Sequence, residues 1–308
     1  MAISPVLPGR GRSGEKFGKF IGIGPFVFFL STDIPLLAAM IETLYEGFPA
    51  WEASANRFAD FHVGVHRVSG MRRIVRRQAV FDIDGFRPFF PLASGQALMM
   101  LEGGLNWAIA ENISFFLVIH AGVVERNGLA MVLPAPPGGG KSTLTAGLVH
   151  RGWRLLSDEL ALLSLEEGTL SALARPIALK NESIGVIRRA APQSWMTPPM
   201  PNIEGGDVIY LKPPADSVAR IGERAVPAFI VVPRFQRDAD AALLEPKSRP
   251  QAFRELADGT YRLSLYGRRG FETLAGMVDR CQCYDLRFSD LDAAIQACER
   301  LTRGALRR

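Results

Sequence analysis

The sequence predicts an α/β fold, and three features of its second half predict it. An apolar run over residues 129–134 leads straight into a glycine-rich loop, and a helix-forming segment follows that loop. Two further short apolar segments, 153–157 and 228–232, predict buried strands. Helices predicted over 271–278 and 291–301, with a strand over 283–288 between them, continue the alternation that is typical of a sheet covered by helices.

The first 112 residues predict a separate α+β domain, which precedes a larger domain over 113–308. Residues 1–19 are rich in glycine and charge, and we expect them to be disordered. A hairpin turn is predicted at Asp82-Ile83-Asp84-Gly85. The apolar spacing predicts strands over 26–30, 57–68 and 74–83 and helices over 34–45 and 93–110. No motif in this domain indicates a chemistry, so we assign it to docking, assembly or regulation.

The predicted helix over 93–110 has one apolar face, which is made by Leu98, Leu101, Leu105 and Ile109. Glu102 and Asn106 interrupt its apolar character, and we expect them to contact the second domain. His62 and His66 fall on a predicted strand that has no cysteine and no cluster of acids nearby. We therefore expect these two histidines to be packing or surface residues.

The loop after residue 134 has the composition of a phosphate-binding P-loop, because strand, glycines, Lys-Ser-Thr and helix follow in that order. Glycines without a Cβ let the backbone wrap a polyphosphate, and the helix N-terminus adds positive potential. Lys141 would reach the β- and γ-phosphates, and the Ser142 hydroxyl would bind Mg²⁺. Ala135 stands where the usual pattern has its first glycine. We expect a nucleoside triphosphate to bind at Ala135, Pro136, Pro137, Gly138, Gly139, Gly140, Lys141, Ser142 and Thr143.

Two acids, Asp158 and Glu159, follow the predicted strand over 153–157. At the carboxyl end of a parallel strand beside a P-loop, they would act on Mg²⁺ or on the attacking group. Their distance in sequence from Lys141 leaves room for only one helix and one strand. Motor-like and transporter-like ATPases carry their Walker-B acid later, so the spacing argues against those classes. Capping of a strand by the two acids is the structural alternative.

With its glycine-rich loop and the acids that follow, the chain resembles the HPr serine kinase/phosphorylase family, and more closely its subfamily called HprK-related kinase A. The resemblance covers residues 115–235. It rests on the strand and turn over 120–128, the Arg-Gly-Trp-Arg-Leu-Leu-Ser-Asp-Glu run over 151–159, and the segments 175–187 and 211–214. The resemblance implies a P-loop nucleotide-binding core of the HPr kinase and phosphoenolpyruvate carboxykinase type, with ATP and Mg²⁺ as cofactors.

Roles are carried over only where residues match. The resemblance implies that Asp158 is the base that accepts the proton of a substrate hydroxyl, that His120 assists it, and that Glu159 helps Ser142 and Asp158 to hold Mg²⁺. Lys141 acts on the transferred phosphate. The implied acceptor is a Ser or Thr hydroxyl of a protein or peptide other than the sugar-transport phosphocarrier, for instance a co-encoded modified peptide or its chaperone.

The chain also departs from this family. Glu159 is one methylene longer than the aspartate expected there, and a clear copy of the family's Glu-x-Arg-Gly-x-Gly signature is missing, so the phosphorylase reaction is not implied. Lys180 and Arg234 would each either contact phosphate or be solvated surface residues. A small-molecule kinase and a nucleotide-gated binding protein with slow ATP turnover stay open as alternative functions.

Composition limits the class of partner. The net charge of +5 is mildly basic. The basic cluster at Arg72-Arg73 and Arg76-Arg77 comes without a nucleic-acid motif, so no nucleic-acid partner is expected. The three cysteines form no Cys-x-x-Cys pair and are expected to be reduced. Because the sequence shows no convincing signal peptide or membrane span, we predict a cytoplasmic protein. A homo-oligomer is compatible with the sequence. The proline-rich segment 188–215 is predicted to be a loop.

Overall fold

The computed structural model describes residues 17–55, 57–68, 77–136 and 138–305. Four sequence predictions lie wholly or partly outside these residues: disorder over 1–16, the basic cluster at 72–76, the first three residues of the strand predicted over 74–83, and the contribution of Pro137 to the nucleotide loop.

Within the described residues the chain forms helices and strands that alternate through most of its length. The helices are α1 (Pro35–Leu44), α2 (Ala97–Asn112), α3 (Lys141–Val149), α4 (Glu182–Ala190), α5 (Ala215–Ala219), α6 (Arg249–Asp258), α7 (Gly267–Arg280) and α8 (Leu291–Ala305). The first strands are β1 (Phe17–Ile23), β2 (Phe26–Thr32), β3 (Ala50–Glu52), β4 (Phe61–Arg67), β5 (Gln78–Ile83) and β6 (Leu92–Ala93). The later strands are β7 (Phe116–Arg126), β8 (Leu129–Pro134), β9 (Arg154–Ser157), β10 (Leu160–Ser164), β11 (Leu170–Ser171), β12 (Ile177–Lys180), β13 (Met200–Pro201), β14 (Asp207–Leu211), β15 (Val226–Phe235), β16 (Leu243–Pro246) and β17 (Gln282–Phe288).

The N-terminal strands form a mixed six-stranded sheet with the order β3-β1-β2-β4-β5-β6. Strands β2 and β4 are parallel and the other neighbours are antiparallel. The predicted hairpin turn after β5 is confirmed, because Asp84 and Gly85 have φ angles of 49° and 84° and Ile83 bridges Phe86. The α2 side chains that were predicted to share one face are all buried against this sheet.

A second, larger sheet contains the segments that carry the sequence motifs. Its order is β11-β10-β7-β8-β15-β17-β16, and β9 also pairs with β7. Strands β8, β15 and β17 are parallel, whereas β7 is antiparallel to β8, β9 and β10. Strands β12, β14 and β13 make a third, antiparallel sheet. Sheets of mixed direction together with the helices packed on them confirm the α/β class.

Three predictions about local structure were wrong in detail. Residues 17–19, expected to be disordered, begin β1 and pair with residues 30–32 of β2. The segment 188–215 is not one loop, since it contains the end of α4 and the strands β13 and β14. The expected strand over 57–68 begins only at Phe61. Strands β1 and β2 form a hairpin and β13 pairs with the nearby β14, whereas β4 pairs with the more distant β2.

Helix α2 is joined to the later part of the chain by a buried charged cluster. As predicted, Glu102 and Asn106 contact residues beyond 112, and they do so through Arg175. The Arg175 guanidinium lies 3.7 Å from the Glu102 carboxylate and donates to the Asn106 side-chain oxygen. Tyr45 donates a further hydrogen bond to Glu102 at 2.7 Å. Because both charges are buried, their pairing here avoids the large desolvation cost of a lone charge.

None of the helices in the described part of the chain combines the length and the apolar character that crossing a bilayer requires.

Candidate functional site

The glycine-rich loop lies between β8 and α3, as the sequence predicts. Gly138 and Gly140 have φ angles of 81° and 89°, a region in which a Cβ is strained. The loop is held against the end of β15, because Gly139 accepts a hydrogen bond from the Phe235 amide at 3.1 Å. A Cβ at Gly139 would lie 3.0 Å from the Pro233 carbonyl oxygen, so the glycine permits this close approach. Backbone at this loop is therefore fixed in a shape that other residues would resist.

Helix α3 begins at Lys141, directly after the loop. No side chain caps its first turn, and amides in the first turn of a helix have no partner within it. Ser142 and Thr143 are half-buried at this end. Unpaired amides and the positive end of the helix dipole make such a terminus attractive to a phosphate.

The two acids lie where a long antiparallel ladder bends. Ser157 of β9 stands opposite Val123 of β7, and Leu160 of β10 stands opposite His120. Both pairs belong to the same register, so the antiparallel run along β7 continues from Ser157 into β10, whereas the rest of β9 is shifted by one residue at Leu156. Asp158 and Glu159 fall between them, opposite Gly122 and Ala121. We expected the acids to follow a strand that is paired in parallel beside the glycine-rich loop, and this expectation was wrong. Strand β9 runs in the same direction as β8, but the antiparallel strand β7 lies between them.

The bend brings the two acids to the N-terminus of α3. The Lys141 ammonium donates a hydrogen bond to the backbone carbonyl of Asp158 at 2.7 Å and lies 3.3 Å from Glu159 Oε2. His120 Nε2 lies 3.0 Å from the same Glu159 oxygen and 3.2 Å from Lys141 Nζ. A proton on Nε2 serves the bond to Glu159, and Nε2 then has no lone pair for the ammonium. The residues His120, Lys141, Asp158 and Glu159 thus form one cluster, and the predicted site residues of the two motifs meet.

Asp158 carries the least compensated charge of this cluster. The residue is 4% exposed, and neither carboxylate oxygen has a hydrogen-bond partner among the described residues. Burial raises the pKa of Asp158 to about 6, although the Lys141 charge opposes that rise. Ser142 is close enough to lower this pKa as well, without forming a hydrogen bond of ordinary geometry. An unpaired buried carboxylate is costly, and such groups concentrate where a ligand or a proton completes them.

Glu159 is the opposite case within the same cluster. Burial alone would raise its pKa, but the hydrogen bond from His120 and the charge of Lys141 outweigh burial and lower the pKa to about 2. Glu159 is therefore a stable anion at neutral pH, and it holds the lysine and the histidine in place. Two adjacent carboxyl groups with pKa values moved apart are suited to different roles.

No group of three or more His, Cys, Asp or Glu side chains that could hold a metal ion occurs in the described part of the chain. Mg²⁺ commonly takes only one or two carboxylates and fills its other positions with water and phosphate oxygens. The unpartnered oxygens of Asp158, with Ser142 and Glu159 nearby, fit that pattern of ligands.

The remaining predicted residues separate into two groups. Ala135, Pro136 and Thr143 lie at the glycine-rich loop and the first turn of α3. Lys180 pairs on the surface with Glu204 at 2.9 Å and is not part of the cluster. Arg234 is held by Asp285 and Glu255 at 2.9 and 2.8 Å, so its guanidinium is already engaged.

The two histidines of β4 are exposed or half-buried, as expected, but acids do lie next to them in space. His62 Nδ1 is 3.2 Å from Asp84, and His66 Nδ1 is 3.8 Å from Asp33. Each of these acids is more than twenty residues away from its histidine along the chain, so no local pattern indicates the contacts.

Two residues near the site escaped the sequence analysis. Gly122 leaves room for α3, because a Cβ there would lie 2.5 Å from Thr145 Oγ1 and 3.4 Å from Lys141 Cγ. Tyr261 lies beside β7 through a hydrogen bond from its amide to the Val118 carbonyl at 2.9 Å. Gly122 lies in the segment 120–128 that carries the resemblance, so its lack of a side chain could have indicated close packing there. Nothing in the sequence around Tyr261 indicates that this residue lies near the site.

No family model matches the chain, and no curated protein matches it.

Proposed function

We propose that this chain is an ATP- and Mg²⁺-dependent kinase that transfers the γ-phosphoryl group to a Ser or Thr hydroxyl of a protein or peptide. In this proposal residues 113–308 are a P-loop core of the HPr kinase type. The observation that carries it is the buried, unpartnered Asp158 carboxylate beside Lys141, at the helix that follows the glycine-rich loop.

The glycine-rich loop and the N-terminus of α3 would bind the phosphates through backbone amides. Lys141 would neutralise charge on the β- and γ-phosphates. Its ammonium now contacts Glu159 and the Asp158 carbonyl, so nucleotide binding requires the lysine to share or exchange these contacts. Ser142, Asp158 and Glu159 would hold the Mg²⁺ ion, which supplies charge neutralisation at the phosphates.

Asp158 is the residue suited to accept the proton of the acceptor hydroxyl. A pKa near 6 leaves the carboxylate mostly ionised at neutral pH and basic enough to take a proton. In the transfer, the bond from the γ-phosphorus to the bridging oxygen breaks, a bond to the acceptor oxygen forms, and the hydroxyl proton passes to Asp158. His120 would keep Glu159 in position through their 3.0 Å contact.

A nucleotide-gated binding protein is the second candidate, and the engagement of Lys141 favours it. Because Glu159 and His120 already surround the ammonium, ATP would rearrange the cluster even without turnover. The two candidates differ at Asp158. A kinase with Asp158→Asn keeps its ATP affinity and loses orders of magnitude in turnover, whereas a binding protein keeps its response to the partner.

The test uses purified chain, γ-labelled ATP, Mg²⁺ and the small proteins and peptides encoded beside it. Alkali-labile label on an acceptor serine, lost in Lys141→Ala and Asp158→Asn, is the expected result. Asp238→Asn, a change at an exposed aspartate, is the matched control and should transfer label normally. ATP binding without transfer to any co-encoded acceptor would contradict the kinase and favour the binding protein.

A further inference from the structure

The segment 259–261 occupies an unexpected position in the larger sheet. The amide of His120 donates to the Gly259 carbonyl at 2.7 Å, the amide of Tyr261 donates to the Val118 carbonyl at 2.9 Å, and Thr260 bridges Ile119 in the antiparallel sense. Strand β8 pairs with β7 only from Ala121 onward. The segment therefore takes over the place beside β7 that β8 leaves when it turns into the glycine-rich loop.

This register decides which way Tyr261 points. Residues opposite each other in an antiparallel pair lie on the same face of the sheet, and alternate residues share that face. Tyr261 stands opposite Val118, which shares its face with His120. The tyrosine ring is thus on the face that carries His120, in the neighbourhood of Lys141 and Glu159.

Two further observations agree with this placement. Burial raises the pKa of the Tyr261 phenol, and the negative charge of Glu159 raises it further, so the two groups are within electrostatic reach. The residue is 38% exposed, and its hydroxyl has no hydrogen-bond partner among the described residues. A large side chain beside a catalytic cluster, held by backbone bonds but open to solvent, is available to a ligand.

The position of the segment is fixed from its far side. Arg262 donates to the Glu111 carbonyl at the end of α2. The Tyr266 hydroxyl donates to the Phe116 carbonyl at 2.8 Å and lies 3.1 Å from the Ile113 carbonyl. Tyr261 is therefore anchored between α2 and the larger sheet. An aromatic ring that is held in a fixed position loses little conformational entropy when a ligand packs on it.

We propose that the Tyr261 ring is the acceptor-side wall of the site and favours a hydroxyl on an apolar or peptide-like stem over water. This inference rests on the proposed kinase function and names a residue that selects its acceptor. The ring would pack on the stem of the acceptor and reduce the access of water to the phosphoryl group. Contacts of this kind discriminate by about 10- to 200-fold in enzymes.

The first arm of the test asks where Tyr261 lies relative to bound nucleotide. Wild-type protein is nitrated with tetranitromethane, with and without Mg²⁺ and a non-hydrolysable ATP analogue, and each tyrosine is followed by peptide mass spectrometry. Bound analogue should slow nitration of Tyr261 and leave Tyr284, a half-buried tyrosine of β17, unchanged. Equal nitration of Tyr261 in both samples, at a nucleotide concentration shown to saturate by calorimetry, overturns the inference.

The second arm measures ATP hydrolysis without any acceptor, so that water is the only one present. Tyr261→Ala should raise the hydrolysis rate about tenfold at an unchanged KM for ATP, the lower end of such discrimination. Tyr261→Phe keeps the ring and should raise the hydrolysis rate less than Tyr261→Ala does. The control is Phe90→Ala, which removes an exposed ring from the N-terminal part of the chain.

The outcomes separate the two proposals. If calorimetry detects no ATP binding to wild type, the proposed function fails and this inference fails with it. If ATP binds but Tyr261→Ala leaves hydrolysis unchanged, or lowers it together with ATP affinity, Tyr261 is not the acceptor-side wall and the kinase proposal stands. Should Tyr261→Ala fail to fold, Tyr261→Leu and the nitration arm on wild type decide the question.

Discussion

Replacement of Asp158 by asparagine should stabilise the unliganded protein while it removes the proposed base. Burial raises the pKa of this carboxyl from 3.8 to about 6. That rise of about two units corresponds to about 3 kcal/mol, which is the cost of keeping the ionised group in the folded state. Asparagine has nearly the same shape and no charge, so it avoids this cost.

The effect has a defined dependence on pH. Between pH values of about 4 and 6, the folded state holds a proton on Asp158 that the unfolded state has lost. Wild-type stability therefore falls as the pH rises through this window, and the full penalty is present above pH 6. The gain from Asp158→Asn should be close to zero near pH 4 and about 3 kcal/mol near pH 8.

The assay is chemical denaturation of both proteins at several pH values, with EDTA present so that no divalent ion binds the carboxylate. Asp238→Asn is the control, because this exposed aspartate should show no comparable gain at any pH. An Asp158→Asn protein that is equally stable as wild type, or less stable, near pH 8 would refute the view that this carboxylate is buried without compensation.

Three further predictions concern the surroundings of the site. Gly122→Ala places a Cβ 2.5 Å from Thr145 Oγ1 and against the Lys141 side chain, so it should destabilise the protein by about 1–3 kcal/mol and weaken ATP binding, as seen by denaturation and calorimetry. Glu125→Gln leaves the buried Arg154 without its partner charge and should cost about 3–5 kcal/mol in a denaturation experiment. Removal of Mg²⁺ with EDTA should reduce the rise in melting temperature that ATP produces, because ligand binding to the folded state sets that rise.

Each of these changes has a matched control. Gly103→Ala in α2 meets open space and should be neutral or mildly stabilising, by about 0.4–1 kcal/mol. Glu223→Gln changes an exposed acid that also lies near Arg154, and the loss of a surface pair of this kind should leave stability nearly unchanged. A Gly122→Ala protein with wild-type stability and ATP affinity contradicts the tight packing of α3 on β7. Equal losses from Glu125→Gln and Glu223→Gln contradict the buried pair, and an ATP-induced shift that is insensitive to EDTA contradicts the metal site.

Local patterns in this sequence predicted local structure well. The strand, glycine loop and helix from β8 to α3 follow in the expected order, since the apolar run and the glycines each act on their own short segment. The interruption of α2 by Glu102 and Asn106 also had the expected meaning, because a polar group on a buried helix needs a partner, and Arg175 supplies it.

Predictions that depend on strand pairing were less successful. The position of β7 between β8 and β9 could not be predicted from the sequence. Strands β7 and β9 pair although a strand and a helix lie between them in the chain, and such pairing leaves no local pattern. The position of Tyr261 could not be predicted for the same reason. Its amide donates a hydrogen bond to the carbonyl of Val118, which lies more than a hundred residues earlier in the chain. Residues 17–19 were misjudged for another reason, because glycine and lysine in this segment indicated disorder although it forms a hairpin with the nearby β2.

The bent ladder also limits how a site of this construction can change over evolution. Asp158 and Glu159 lie between Ser157 and Leu160, which share one register along β7, and the register shifts by one residue at Leu156. A one-residue insertion or deletion between Ser157 and Leu160 would turn every side chain of β10 to the opposite face of the sheet. Both faces are buried, so Leu160 and Leu162 would have to replace Ala161 and Leu163 in a differently packed core. A substitution at the pair leaves the sheet intact even where it removes the proposed base, whereas a change in length disturbs the sheet itself. Diversity in acceptors would therefore have to arise in the segments around the pair, where indels do not disturb the sheet.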